Sequence, residues 1–161
     1  MKMMIRKFFA FSITATLFAC SKDTPQNPVN STSAFTYKAD GSSVTADSAH
    51  AVLYSLGVAP FNRMIDVYAY KGGEQVMEFH FKPVTGSSAA DGTFSNSWLT
   101  YLTGINYPND YYNSVSGTLN VTKCDTVGRK IEGTFNFIGN NGTADKPVTD
   151  GIMKVDITEI R

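Results

Sequence analysis

The chain is 161 residues long, carries 14 basic and 14 acidic side chains, and has no formal net charge at neutral pH. That length provides one ordinary domain with a sizeable core. With no basic stripe there is no electrostatic footprint for nucleic acid, and the two cysteines and two histidines form no CxxC or Cys/His pattern of a zinc site.

The N-terminus has three parts. Lys2, Arg6 and Lys7 form a basic cluster, Phe8 to Ala19 is an uncharged apolar run, and the small Ala19 precedes Cys20. That order is that of a secretory signal. The run has 12 residues, whereas a bilayer-spanning helix needs roughly 17–25. Residues 1–19 are therefore expected to be a cleaved signal rather than a transmembrane helix. Its removal leaves 11 basic residues against 14 acidic ones, a net charge of about −3.

Leu17-Phe18-Ala19-Cys20 resembles the lipobox of bacterial lipoproteins. The resemblance implies that Cys20 is the lipidation site: its thiol receives a diacylglycerol, the chain is cut before it, and the new amino group is acylated. More than one acyl chain makes a stable membrane anchor. Ser21 stands where Asp favours inner-membrane retention, which implies an outer-membrane address. Ser21-Lys22-Asp23 resembles the charged export tag of Bacteroidetes-type surface lipoproteins, with one acidic residue where those tags have two. Periplasmic face and cell surface both stay open. With Cys20 lipidated, Cys124 has no intrachain disulfide partner.

Residues 20–33 hold the cysteine and a Ser/Thr/Asn/Pro-rich segment with almost nothing apolar. Such a segment cannot offset its ordering entropy by burial and is expected to be a disordered tether, reaching roughly 45 Å when extended. Residues 34–161 read as strands and turns. Short strands are expected at Ala34–Lys38, Val44–Asp47 and Ala49–Leu56, with a turn at Asp40-Gly41. Asn62–Lys71 and Glu74–Lys82 flank Gly72-Gly73, a hairpin signal. Pro83–Asp91 reads as a loop of small residues, Thr93–Gly104 as a strand, and Asn106–Asn113 as a tyrosine-rich loop. Val115–Cys124, Arg129–Ile138 and Val148–Ile160 follow, joined by polar turns. Met77, Phe79 and Phe81, then Leu119 and Val121, then Ile131, Phe135 and Phe137, then Met153, Val155 and Ile157 recur with period two and are expected to face inward. No stretch has helical spacing. The expected fold is all-β, an antiparallel sandwich or meandering barrel of about 8–9 strands.

Three further segments, Ala39-Asp40-Gly41, Ile131-Glu132-Gly133-Thr134-Phe135-Asn136-Phe137 and Val148-Thr149-Asp150-Gly151, resemble motifs of an uncharacterised family of small Bacteroidetes-type lipoproteins. That family's domain opens on a "kaDG" turn and closes on "isGTFsF" and "vtitdG" strands. The resemblance implies fold and location, with no catalytic residue.

Candidate binding residues are the aromatic set Trp98, Tyr101, Tyr107, Tyr111 and Tyr112, with Asn109 and Asp110 as polar partners. Tyr and Trp offer a large apolar face with a polar tip, suited to stacking on sugar rings of a glycan or gripping an envelope protein. The same aromatics can equally close one end of the core. His80 lies on a polar strand face with Glu78 and Lys82. No GxSxG, HExxH, Walker or Rossmann motif is present, so no catalytic residue, metal or cofactor is expected. Asp47-Ser48-Ala49 and Asp125-Thr126-Val127 resemble the O-glycosylation triplet of exported Bacteroidetes-type proteins, which makes Thr126 and Ser48 candidate sites. The function expected is a membrane-anchored, non-enzymatic β-domain for binding or envelope structure. The alternatives are a lipocalin-like carrier with Phe79, Phe81, Phe135, Phe137 and Met77 around a cavity, and a polymer hydrolase.

Overall fold

The computed structural model describes residues 33–55, 63–93 and 96–161; the signal, Cys20 and all of the tether except Ser33 lie outside them. The described residues form ten strands: β1 (Ala34–Ala39), β2 (Ser42–Thr45), β3 (Ser48–Ser55), β4 (Arg63–Lys71), β5 (Glu74–Phe81), β6 (Gly86–Ala89), β7 (Ser97–Leu102), β8 (Tyr111–Asp125), β9 (Lys130–Asn140) and β10 (Asp145–Ile160). The fold is all-β. Seven strands close into a barrel in the order β10, β3, β4, β5, β7, β8, β9 and back to β10. Closure removes the exposed edges that an open sheet would present.

The turns follow from residue chemistry. Asp40-Gly41 joins β1 to β2 and Gly72-Gly73 joins β4 to β5, and all four residues have positive φ, from 48° to 84°. Two-residue loops of that kind match the right-handed twist of a hairpin. Between β9 and β10 the Asn141 side chain accepts hydrogen bonds from the backbone of Thr143 and Ala144 at 3.0 and 2.9 Å.

The pairing of β10 with β3 is parallel, where an antiparallel fold was expected throughout. A parallel pair needs a long connection, and here everything from β4 to β9 lies between the two strands. β8 and β10 are long, at 15 and 16 residues, and each serves two neighbours along one edge. β10 pairs with β1 near Met153 and with β3 near Ile157. β8 pairs with β7 near Tyr112 and with β6 near Leu119. Register shifts at Val148/Gly151 and Ser114/Ser116 let these strands bend around the barrel.

Every residue expected inward by the period-two pattern is in the core. The rings of Phe35, Phe79 and Phe135 meet at its centre, with centroids 5.6, 5.2 and 4.7 Å apart. Among the described residues, no buried side-chain nitrogen or oxygen lacks a hydrogen-bond partner.

Two expected loops are shorter than their sequences suggest. Pro83–Asp91 contains β6, whose Gly-Ser-Ser-Ala sequence has no alternation to reveal it; backbone pairing with β8 holds it. The tyrosine-rich loop ends at Asp110, and Tyr111 to Asn113 already belong to β8.

Candidate functional site

Alternation along β5 and β7 sends Phe79 and Leu99 inward and leaves Glu78, His80, Trp98 and Thr100 on the outer face. Strand register sets them side by side: His80 lies opposite Trp98, Glu78 opposite Thr100, and Thr100 opposite Asn113 of β8. The connection 103–110 stands beside this face and contributes Tyr107. With Tyr111, these side chains line a cleft of about 390 Å³, within the range of small-molecule sites, roughly 300–1,000 Å³.

The 103–110 connection is held by its own polar groups. Asp110 accepts from the Asn106 backbone N–H at 3.0 Å and from the Asn106 amide at 2.9 Å, and the Thr103 N–H donates to the Asp110 carbonyl at 3.0 Å. Gly104 is required by this arrangement, because a Cβ there would meet Asp110 Oδ2 at 2.5 Å. The Asn141 amide donates to the Asn109 carbonyl at 2.6 Å and ties the loop to the β9–β10 turn. The Tyr107–Pro108 bond is cis. Tyr107 is 76% exposed and packs edge-to-face on Tyr111 with centroids 5.4 Å apart.

The floor is ordered by hydrogen bonds. Asn113 Oδ1 accepts from Trp98 Nε1 at 3.1 Å and from Thr100 Oγ1 at 2.9 Å, which ties the indole to β8. His80 Nδ1 bonds Asp66 Oδ1 across β4 and β5. An ionised carboxylate has only acceptors, so in this pair Nδ1 carries the proton. The Tyr68 hydroxyl donates to the second Asp66 oxygen at 3.2 Å, and the Gln75 amide donates to Glu78 at 3.1 Å. Burial, with the Asp66 and Glu78 carboxylates beside it, pushes the Tyr68 phenol well above its ordinary value, so Tyr68 stays a donor. The cleft is lined by no Lys or Arg.

Of the residues singled out from sequence, Trp98, Tyr107 and Tyr111 come together in the cleft. Tyr101 and Tyr112 turn to the other side of the sheet. Tyr101 packs on Tyr37 and Tyr112 at 6.0 and 6.3 Å, and Tyr112 is only 8% exposed. These two close the end of the core. Asp110 spends its carboxylate inside its own loop, and Asn109 contributes its carbonyl to Asn141. Sequence reasoning passed over Thr100, Asn113 and Asp66, and noted Glu78 and His80 only as neighbours on a polar strand face. Alternation along β5 marks Glu78 and His80 as outward-facing, but only the register across β4, β5, β7 and β8 brings Asp66, Thr100 and Asn113 to them.

Ser48 is exposed at the start of β3, and Thr126 is half-buried in the β8–β9 turn. Cys124 is half-buried, and burial pushes its thiol above the ordinary value, against a smaller opposing effect of Arg63. No three His, Cys, Asp or Glu side chains group as metal ligands among the described residues. Comparison with protein-family models, with curated proteins and with solved structures finds no match.

Proposed function

We propose that this chain is an outer-membrane lipoprotein whose barrel is a non-enzymatic binding module for a glycan, held on the outer-face cleft. One observation carries the reading: Trp98, Tyr107 and Tyr111 converge on a cleft that also presents Glu78, His80, Thr100 and Asn113. Aromatic faces suit the apolar faces of sugar rings, and a few placed polar groups fix orientation. The interior phenylalanines touch one another, which favours a ligand on the outer face over a carrier's internal one. The anchor and address rest on the pattern Leu17-Phe18-Ala19-Cys20-Ser21.

A glycan array spanning host, plant and bacterial saccharides tests the binding. The expected result is retention on at least one saccharide class, lost in Tyr107→Ala. Retention on none, or retention indifferent to Tyr107→Ala, would contradict the reading.

A further inference from the structure

We propose that the cleft takes a sugar carrying a protonated amine, with Glu78 as the anion that meets the ammonium. This rests on the reading of the cleft as a sugar site and names the class of sugar. The observation is local: one carboxylate and three aromatic side chains, Trp98, Tyr107 and Tyr111, line a single cleft of about 390 Å³.

The aromatic part is fixed from both strand and loop. The Trp98 indole N–H is given to Asn113 Oδ1 at 3.1 Å, so what it offers a ligand is ring surface rather than a donor. Tyr107 and Tyr111 stand at 74° to one another, so their faces look in two directions around one corner. The face of an aromatic ring is the negative side of its quadrupole, and it attracts a cation within about 6 Å of the ring centre.

The charges point the same way. A carboxylate can accept about four hydrogen bonds, and among the described residues Glu78 takes one, from the Gln75 amide. Asp66 stands behind His80 and lies outside the lining, so Glu78 is the carboxylate a ligand meets. With or without a second proton on the imidazole, Asp66, His80 and Glu78 together are net negative. No Lys or Arg lines the cleft, and Lys82, just past the end of β5, lies outside it. The same two carboxylates help to hold the Tyr68 phenol protonated. An acidic sugar would meet Glu78 with no fixed cation to pair it, and a neutral sugar would leave the charge of Glu78 unpaired. An ammonium brings three donors and a positive charge. It can make a charge-assisted bond to Glu78 while its ring lies against the aromatics.

Isothermal titration of the soluble, unlipidated chain tests this with the β-1,4-linked glucosamine dimer, its amines protonated, against its N-acetylated form and against cellobiose. Cellobiose has a hydroxyl where the first dimer has the ammonium. The glucosamine dimer should bind about five- to thirtyfold more tightly than cellobiose, and the N-acetylated form should lack that advantage. Glu78→Gln should remove the preference. In the unaltered protein the preference should shrink as salt rises from about 0.01 to 1 M and the Debye length falls from roughly 30 to 3 Å, a readout that needs no variant to fold. Equal binding of the glucosamine dimer and cellobiose at low salt would overturn the ammonium assignment and leave the sugar reading standing. So would a preference indifferent to both Glu78→Gln and salt, or retention of neutral saccharides on the array with no binding of the glucosamine dimer. Binding of no saccharide in either assay would remove both this inference and the reading beneath it.

Discussion

Replacing Phe79 by Ala tests whether the barrel interior is a packed core or a space for a ligand. Phe79 is fully buried, and its ring touches Phe135 at 4.7 Å, Phe35 at 5.6 Å and Phe137 at 6.5 Å. Truncating a buried Phe costs about 3–5 kcal/mol, the more so where neighbours cannot close the gap. A wall closed by hydrogen bonds around the whole barrel resists collapse, which puts the expected loss near 4 kcal/mol. A domain of this size holds roughly 6–19 kcal/mol of stability, so the variant still folds. At roughly 3–6 °C per kcal/mol, its midpoint should fall by about 12–24 °C. Thermal and urea unfolding followed by far-UV circular dichroism measure this. A loss below about 1 kcal/mol would mean that the ring lies against a void, and would turn attention to an interior carrier.

Gly117 has φ of +139°, and a Cβ there would run into the Asn136 carbonyl oxygen. Gly117→Ala should cost about 2–4 kcal/mol in urea unfolding, through backbone strain and overpacking together; Gly142→Ala, strained but facing open space, should cost less, and the reverse order would contradict the β8–β9 packing. Cys124 has a thiol raised by burial, so at a pH near the ordinary thiol value it stays more protonated than a free thiol. Its alkylation there should be slower in the folded chain than in urea and should accelerate only at higher pH; equal rates would contradict its burial. Cys20→Ala should move the protein from the membrane pellet to the soluble fraction, and a variant that still sediments with membranes would count against the anchor.

The fold was legible in the sequence to the extent that it follows from alternation. Met77-Glu78-Phe79-His80-Phe81 states its own inside and outside, and Gly72-Gly73 states its own turn. β6 was hidden because Gly86-Ser87-Ser88-Ala89 buries no large side chain, and its pairing is carried by backbone groups that no residue pattern reports. The parallel contact of β3 with β10 was hidden for a related reason: it depends on which ends meet after the chain has wound through six other strands. The same limit governs the site. Trp98, Tyr107 and Tyr111 were legible as recognition aromatics, yet Tyr101 and Tyr112 carried the same signal and face the other way. A one-residue shift reverses the face of a strand side chain, and a loop read through to Asn113, where β8 begins at Tyr111, erases that phase. Asp66, Thr100 and Asn113 have no individual signature, because their roles come from the strands beside them.

Trp98 is the chain's one tryptophan and lines the cleft, so its emission reports directly on the central claim. Titrating the soluble chain with the oligosaccharide retained best on the array should change that emission saturably, with the same midpoint as the heat of binding, and Tyr111→Ala should abolish both. Binding heat without any change at Trp98 would place the ligand elsewhere and contradict the account.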